Sequence, residues 1–173
     1  KSSTKLYLHG SEDPSKELFQ VKMSYQQVTL GVIIPDDGPF DYEWLHLDEW
    51  LTNHGLAHLN LYVERSKSDG DLTPEGLFKT GNIEELLPPA QRLASRGVDA
   101  IIWACTSGSF IGGLDYAETQ IETIFIETGI PSTSTSLAMV AAANHLDIEQ
   151  VDLLGAYSVE VTEIFEVFLN DSG

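Results

Sequence analysis

A chain of 173 residues, 42% of them hydrophobic, is long enough to close one apolar core. Its formal net charge of −18 argues against nucleic acid as a partner, because binding phosphate needs a basic footprint. No apolar run approaches the length of a bilayer span, and the single cysteine excludes an internal disulfide framework and fits a reducing, cytoplasmic setting.

Residues 1–22 are polar, mixed in charge and without periodicity, and Met23 is a plausible natural start. The stretch therefore reads as a flexible leader or extension outside the fold. Val28–Ile34 is the first buried strand, stopped by the turn residues Pro35-Asp-Asp-Gly-Pro39. Residues 40–54 follow as a helix ending at Gly55, with Trp44, Leu47 and Leu51 on its inner face and Trp50 and Leu45 widening it. His46 and His54 read as surface or cap residues. No His-x-x-x-His or Cys/His pairing accompanies them, so no metal site is expected.

Ala57–Val63 alternates as a second strand. After a polar loop, Thr73-Pro74 has the form of an N-cap followed by proline at the first helical position. Two short helices are expected from there, broken around Gly81 and again near Pro88-Pro89, with Leu86, Leu87 and Leu93 inward. Gly97 closes the second.

The most informative stretch comes next: Val98-Asp-Ala-Ile-Ile-Trp-Ala-Cys105-Thr-Ser-Gly-Ser-Phe-Ile-Gly-Gly113. Its apolar, partly β-branched start predicts a strand of a parallel sheet covered on both faces. Thr106, Ser107 and Gly108 suit a tight turn and the cap of a following helix. That arrangement sets the Cys105 sulfur at a strand's carboxyl edge, where open α/β sheets place ligands. Unpaired N–H groups there favour anions, both a substrate carboxylate and the thiolate itself. Set against this, free cysteine is among the most buried residue types and most lone cysteines only pack.

Residues 116–127 form an amphipathic helix stopped by Gly129 and Pro131. Residues 131–136 read as a hydroxyl-rich turn into a helix over Leu137–Leu146. Its serines and threonines are caps in the plain reading and a second anion cradle in the functional one. Val151–Ala156 is expected to be a further strand, with Tyr157-Ser158 opening a last helix over Val159–Leu169. The helix ends at Asn170 as if about to feed another strand, so the βαβ alternation is interrupted rather than completed.

Three stretches, in order, carry a family resemblance: Gly97–Gly113 around Cys105, Thr128-Gly-Ile-Pro-Ser-Thr-Ser-Thr-Ser136, and the Ala156-Tyr157 strand end. From about Val28 onward the chain resembles the aspartate/glutamate racemase superfamily, and within it the branch of maleate cis-trans isomerases and arylmalonate decarboxylase-like proteins. The resemblance implies an α/β fold of two similar parallel-sheet, three-layer lobes with the active site between them. Residues 23–129 would form the first lobe and 130–173 the start of an incomplete second. It also implies Cys105 as the first-lobe thiol, Thr106 and Ser107 as the turn holding a substrate carboxylate, and Tyr157 as a donor to that carboxylate. Pro35 and Asp36 would contact substrate from the first-strand loop. Homodimers or higher homo-oligomers are common in the family, and no cofactor is implied.

This sequence departs from the family pattern in three respects. No counterpart of the second-lobe cysteine falls within these 173 residues, which end before the segment expected to carry it. Asp36-Asp37 stands where a neutral residue would suit a dicarboxylate, which makes one aspartate a candidate proton carrier. The decarboxylase pattern lacks the first-lobe cysteine that is present here. The expected function is therefore cofactor-independent isomerisation or racemisation of a small carboxylic or dicarboxylic acid, with Cys105 as thiolate base or nucleophile. The alternatives are a non-catalytic carboxylate-binding module and an arylmalonate decarboxylase-like lyase. A Cys-His hydrolase fits poorly, since no histidine falls at a strand end.

Overall fold

The computed structural model describes residues 28–38, 42–54, 59–68 and 70–173. The leader expected over residues 1–22, the start of the first helix and the start of the second strand lie outside them.

β1 (Val28–Pro35) and β2 (Leu59–Ser66) run parallel in register from Val28 opposite Leu59 to Pro35 opposite Ser66. β3 (Ala100–Trp103) takes the other edge of β1, with Ile33 opposite Trp103. β4 (Ser132–Ser134) extends the sheet beyond β3, so the spatial order is β2-β1-β3-β4, all parallel. The expected hydroxyl-rich turn is thus in part an edge strand. Its backbone meets β3 directly, and the N–H of Ile101 donates to Pro131 at 2.9 Å.

The connections are helical: α1 (Tyr42–Asn53), α2 (Pro74–Thr80), α3 (Ile83–Ser95), α4 (Thr106–Phe110), α5 (Leu114–Thr128), α6 (Thr135–His145) and α7 (Val159–Asp171). On one sheet face, Ile33, Ile101 and Trp103 pack with Leu86, Ala90 and Leu93 of α3 and Ile124 of α5. Val32 and Ile34 alternate to the other face and are equally buried, as a parallel sheet requires. A second apolar cluster joins Leu77 of α2, Phe110 of α4, Ala117 of α5 and Val161, Phe165 and Phe168 of α7.

Thr73 caps α2 as its sequence predicts, accepting the Gly76 N–H at 3.2 Å. The expected break at Gly81 is present, but the one at Pro88-Pro89 is not: α3 runs straight through both prolines. Proline already holds a helical φ, and the carbonyls left without N–H partners belong to Glu84 and Glu85, on the wetter side of the helix. The buried stripe Leu86, Pro89, Ala90 and Leu93 keeps the helix in place.

Two further expectations are corrected. Trp50 does not widen the inner face of α1: it is 53% exposed and stacks on His54 at 4.2 Å between ring centroids. Val151–Ala156 is not a strand. Its backbone is irregular, and Val151 and Leu154 stand in solvent. No strand lies beside it among the described residues, and an extended segment becomes a strand only when a neighbour receives its N–H and C=O groups.

Candidate functional site

The strand order places a topological switch point between β1 and β3, since the chain leaves β1 towards β2 on one side and β3 towards β4 on the other. The carboxyl ends of these two strands carry the Pro35–Gly38 loop and Cys105, so both candidate loops face the same crevice. The pairing of Ile33 with Trp103 fixes their spacing.

Cys105 is the N-cap of α4, with extended backbone (φ −134°, ψ 107°), and is half-buried. Its Sγ accepts the Gly108 N–H at 3.4 Å and lies 3.9 Å from the Ser107 hydroxyl. The sequence argument anticipated that these donors would favour the thiolate. They do pull in that direction, but burial outweighs them, and with the charge of Asp37 it holds the thiol above its ordinary range. The physical reason is local: α4 is only five residues long, so its dipole is small and few N–H groups reach the sulfur.

Tyr157 is brought to the same place from the far end of the chain. Its ring meets Phe110 of α4 edge-on, with centroids 5.7 Å apart. Burial and a charge on Cys105 push its hydroxyl up, while the Ser107 and Thr106 hydroxyls pull it down. The structure therefore gathers Cys105, Thr106, Ser107 and Tyr157 into one cluster: a thiol with the Ser107 hydroxyl beside it, and the Tyr157 hydroxyl within reach of those of Ser107 and Thr106, with no cationic side chain among the four.

The first-strand loop divides its tasks. Pro35 is buried, and its carbonyl accepts from Gly38 N at 3.1 Å and from Arg65 Nη1 at 3.2 Å. The Asp36 carboxylate accepts the Ser68 N–H at 2.9 Å, which ties it to the loop after β2. Asp37 is the aspartate whose charge the thiol feels. Sequence reasoning names the doublet and singles out Asp36; the fold gives the two different surroundings, Asp36 bonding to Ser68 and Asp37 near enough for its charge to raise the thiol.

The hydroxyls of residues 132–136 serve structure. Ser134 caps α6 by accepting the Leu137 N–H at 3.5 Å. Ser136 meets Ser109 of α4 at 2.7 Å between hydroxyl oxygens, and Ser109 in turn donates to the Thr106 carbonyl at 2.9 Å. All three serines are fully buried. They lock the cysteine-bearing turn to α6, and in this arrangement they face one another and not an open anion cradle. A shallow, open hollow of about 490 Å³ lies elsewhere, between α5 and β4, lined by Glu118, Glu122, Phe125 and Pro131. It holds none of the clustered groups.

Among the described residues, no group of three or more His, Cys, Asp or Glu side chains is placed to hold a metal ion. Nor is any helix long and apolar enough to cross a membrane.

Comparison with known proteins gives a consistent picture. Residues 70–173 match the family model described as arylmalonate decarboxylase. The arylmalonate decarboxylase of Bordetella bronchiseptica is 31% identical over 144 residues, a match covering 82% of this chain and 55% of that protein. Among solved structures, a liganded arylmalonate decarboxylase variant superposes with a TM-score of 0.70 at 26% identity, over 83% of this chain and 57% of the other. A maleate isomerase from Pseudomonas putida S16, crystallised with maleate, superposes with a TM-score of 0.76 at 17% identity, over 86% and 60%. The likeness to that isomerase is one of fold. The chain spans 55% of the length of its curated relative and about 60% of these structures.

Proposed function

The chain belongs to the arylmalonate decarboxylase family, a branch of the aspartate/glutamate racemase superfamily, and on that footing we propose that it serves a cofactor-independent isomerase or racemase of a small carboxylic acid. Cys105 is the reactive group, and Thr106, Ser107 and Tyr157 grip the substrate carboxylate. The single observation that supports this is the grouping of those three hydroxyls with one half-buried thiol at the switch point of the sheet.

The chemistry follows from what such a cluster does. Removing a proton from the carbon next to a carboxylate sends its electron pair into the carboxylate, and fixed donors stabilise the enediolate that forms. As a base, the Cys105 thiolate takes that proton on one face, and an acid returns one on the other. As a nucleophile, the sulfur instead adds to a carbon–carbon double bond. The pair again moves into the carboxylate, the former double bond rotates, and elimination breaks the C–S bond. The crystallised maleate isomerases, one of which from Nocardia farcinica holds a succinylcysteine intermediate, lend support to the nucleophilic route. The Asp37 charge that the thiol feels works against a second substrate carboxylate near it. Pro35 and Asp36 close the same crevice from β1.

In this reading residues 23–129 form the first lobe, residues 130–173 open the second, and the protein is a cytoplasmic homodimer or higher homo-oligomer. Decarboxylation in the manner of arylmalonate decarboxylase is the second reading, favoured by the 31% identity to that enzyme. The test is turnover by the full-length protein, followed by proton NMR with maleate, arylmalonates and chiral 2-substituted acids in deuterated buffer. Isomerisation, or deuterium exchange at the α-carbon, that falls at least 100-fold in Cys105→Ser is the expected result. Near-normal rates in that variant end the assignment of Cys105. Carbon dioxide release identifies the lyase, and binding without turnover identifies a non-catalytic module.

A further inference from the structure

Gln120 sits in the middle of α5 with its side chain fully buried. Its amide nitrogen donates to two backbone carbonyls distant in the chain, Gly81 O at 2.6 Å and Gly108 O at 3.0 Å. Its Oε1 has no hydrogen-bond partner among the described residues, and neither does Nε1 of the fully buried Trp103. Packing alone does not explain this residue: a leucine would fill the space without stranding a buried acceptor. What glutamine adds is the pair of donors.

Those donors act where two backbones nearly touch. A Cβ on Gly81 would overlap the Gly108 carbonyl oxygen, and one on Gly108 would stand 3.2 Å from the Cys105 sulfur and 3.0 Å from the Trp103 ring. Gly108 is therefore held through its carbonyl by Gln120 and along its Cα by Gly81, while its N–H meets the Cys105 sulfur at 3.4 Å. The Tyr116 hydroxyl, donating to the Gly81 carbonyl at 3.4 Å, braces the far side.

We propose that Gln120 is a positioning residue for Cys105: by clamping Gly108 against Gly81 it keeps the Gly108 N–H on the sulfur and so sets the reactivity of the thiol. Its bearing on catalysis rests on the reading of Cys105 as the reactive group, but the clamp itself does not. The charged groups to weigh around the sulfur are Asp37 and, once ionised, Tyr157. Neither is touched by the substitutions below.

Alkylation of Cys105, the only cysteine among these 173 residues, by iodoacetamide reads the thiol without requiring turnover. The rate at which Cys105 itself is alkylated in the full-length protein, followed by mass spectrometry of its peptide, is measured against pH for the wild type, Gln120→Met, Gly81→Ala and, as a control, Ile124→Val. Met keeps the volume of Gln120 but donates nothing. Alanine at position 81 pushes the same contact apart from the other side. Ile124 is fully buried on the same helix and belongs to the cluster around Trp103 and Cys105. The expected result is a midpoint raised by about half a pH unit or more in both clamp variants, equivalent to about threefold slower alkylation near neutral pH. The control should leave the midpoint in place. Thermal unfolding establishes which variants are folded at the assay temperature, and if Gln120→Met is not, Gly81→Ala decides alone. An unmoved midpoint in a folded clamp variant overturns the proposal, as does an equal shift in Ile124→Val. If the midpoint moves while Cys105→Ser still turns substrate over, the clamp stands and the catalytic assignment falls.

Discussion

Ala100–Trp103 and Val151–Ala156 are alike as sequences: short, apolar, each followed within two residues by a candidate site residue. The first is a strand whose Trp103 is fully buried, and the second is an irregular segment whose Leu154 is 100% exposed. The difference lies in what stands beside them. β3 has β1 on one edge and β4 on the other, and α3 and α5 cover its face. Among the described residues, Val151–Ala156 has no neighbouring strand. Strand propensity measures fit to a pleated, half-buried surface, and a segment without that surface keeps its apolar side chains in water. Yet both segments deliver their side chains to one cluster, because Tyr157 is anchored by Phe110 and not by a strand.

The contrast can be broken in several ways. Trp103→Ala should destabilise the fold by about 3–5 kcal/mol in urea unfolding, since it empties the centre of a packed core. Equal costs at positions 103 and 154 would erase the distinction. Ser136→Ala, which removes the partner of the Ser109 hydroxyl in a dry site, should cost about 1–3 kcal/mol by the same measurement. Ser158→Ala removes the cap that accepts the Val161 N–H and should cost about 1 kcal/mol. Loss of that cap should loosen α7 next to Tyr157, visible as faster amide exchange in the first turn. Leu154→Ala should change stability by less than about 0.5 kcal/mol.

The pH dependence sharpens the comparison from the chemical side. Burial raises the Cys105 thiol, so the folded chain holds that proton more tightly than the unfolded one. The stability from this source is complete below the ordinary thiol value of about 8.5 and is lost as pH rises through the folded value. Cys105→Ala should therefore flatten the alkaline decline of the melting temperature between about pH 8 and 10. Parallel wild-type and variant curves would show that the thiol is not perturbed. Tyr157, raised chiefly by its own burial, should add a smaller decline at still higher pH.

Much of the fold was legible from local pattern. Thr73-Pro74 announced α2, Gly129 with φ 71° ended α5, and Ser158 capped α7, because caps and stops depend on residues next to one another. The site was legible in part. Cys105 and its turn stood out for the same local reason, and Tyr157 came from resemblance alone. Gln120 carried no signal at all: one glutamine in an amphipathic helix looks like any solvent-facing polar residue. Asp37 carried no signal of its own, since which of two neighbouring aspartates acts on the thiol depends on how the loop folds.

Residue types in fixed succession were enough to reveal the helix caps and stops, a lone thiol at the end of a strand and the family to which the chain belongs. The tertiary structure alone decided that α3 survives its two prolines, that Ser132–Ser134 extends the sheet and that Val151–Ala156 does not. It also decided that burial raises the thiol above its ordinary range. Those outcomes depend on which groups are buried together across the chain, and burial is set by neighbours that no local window contains.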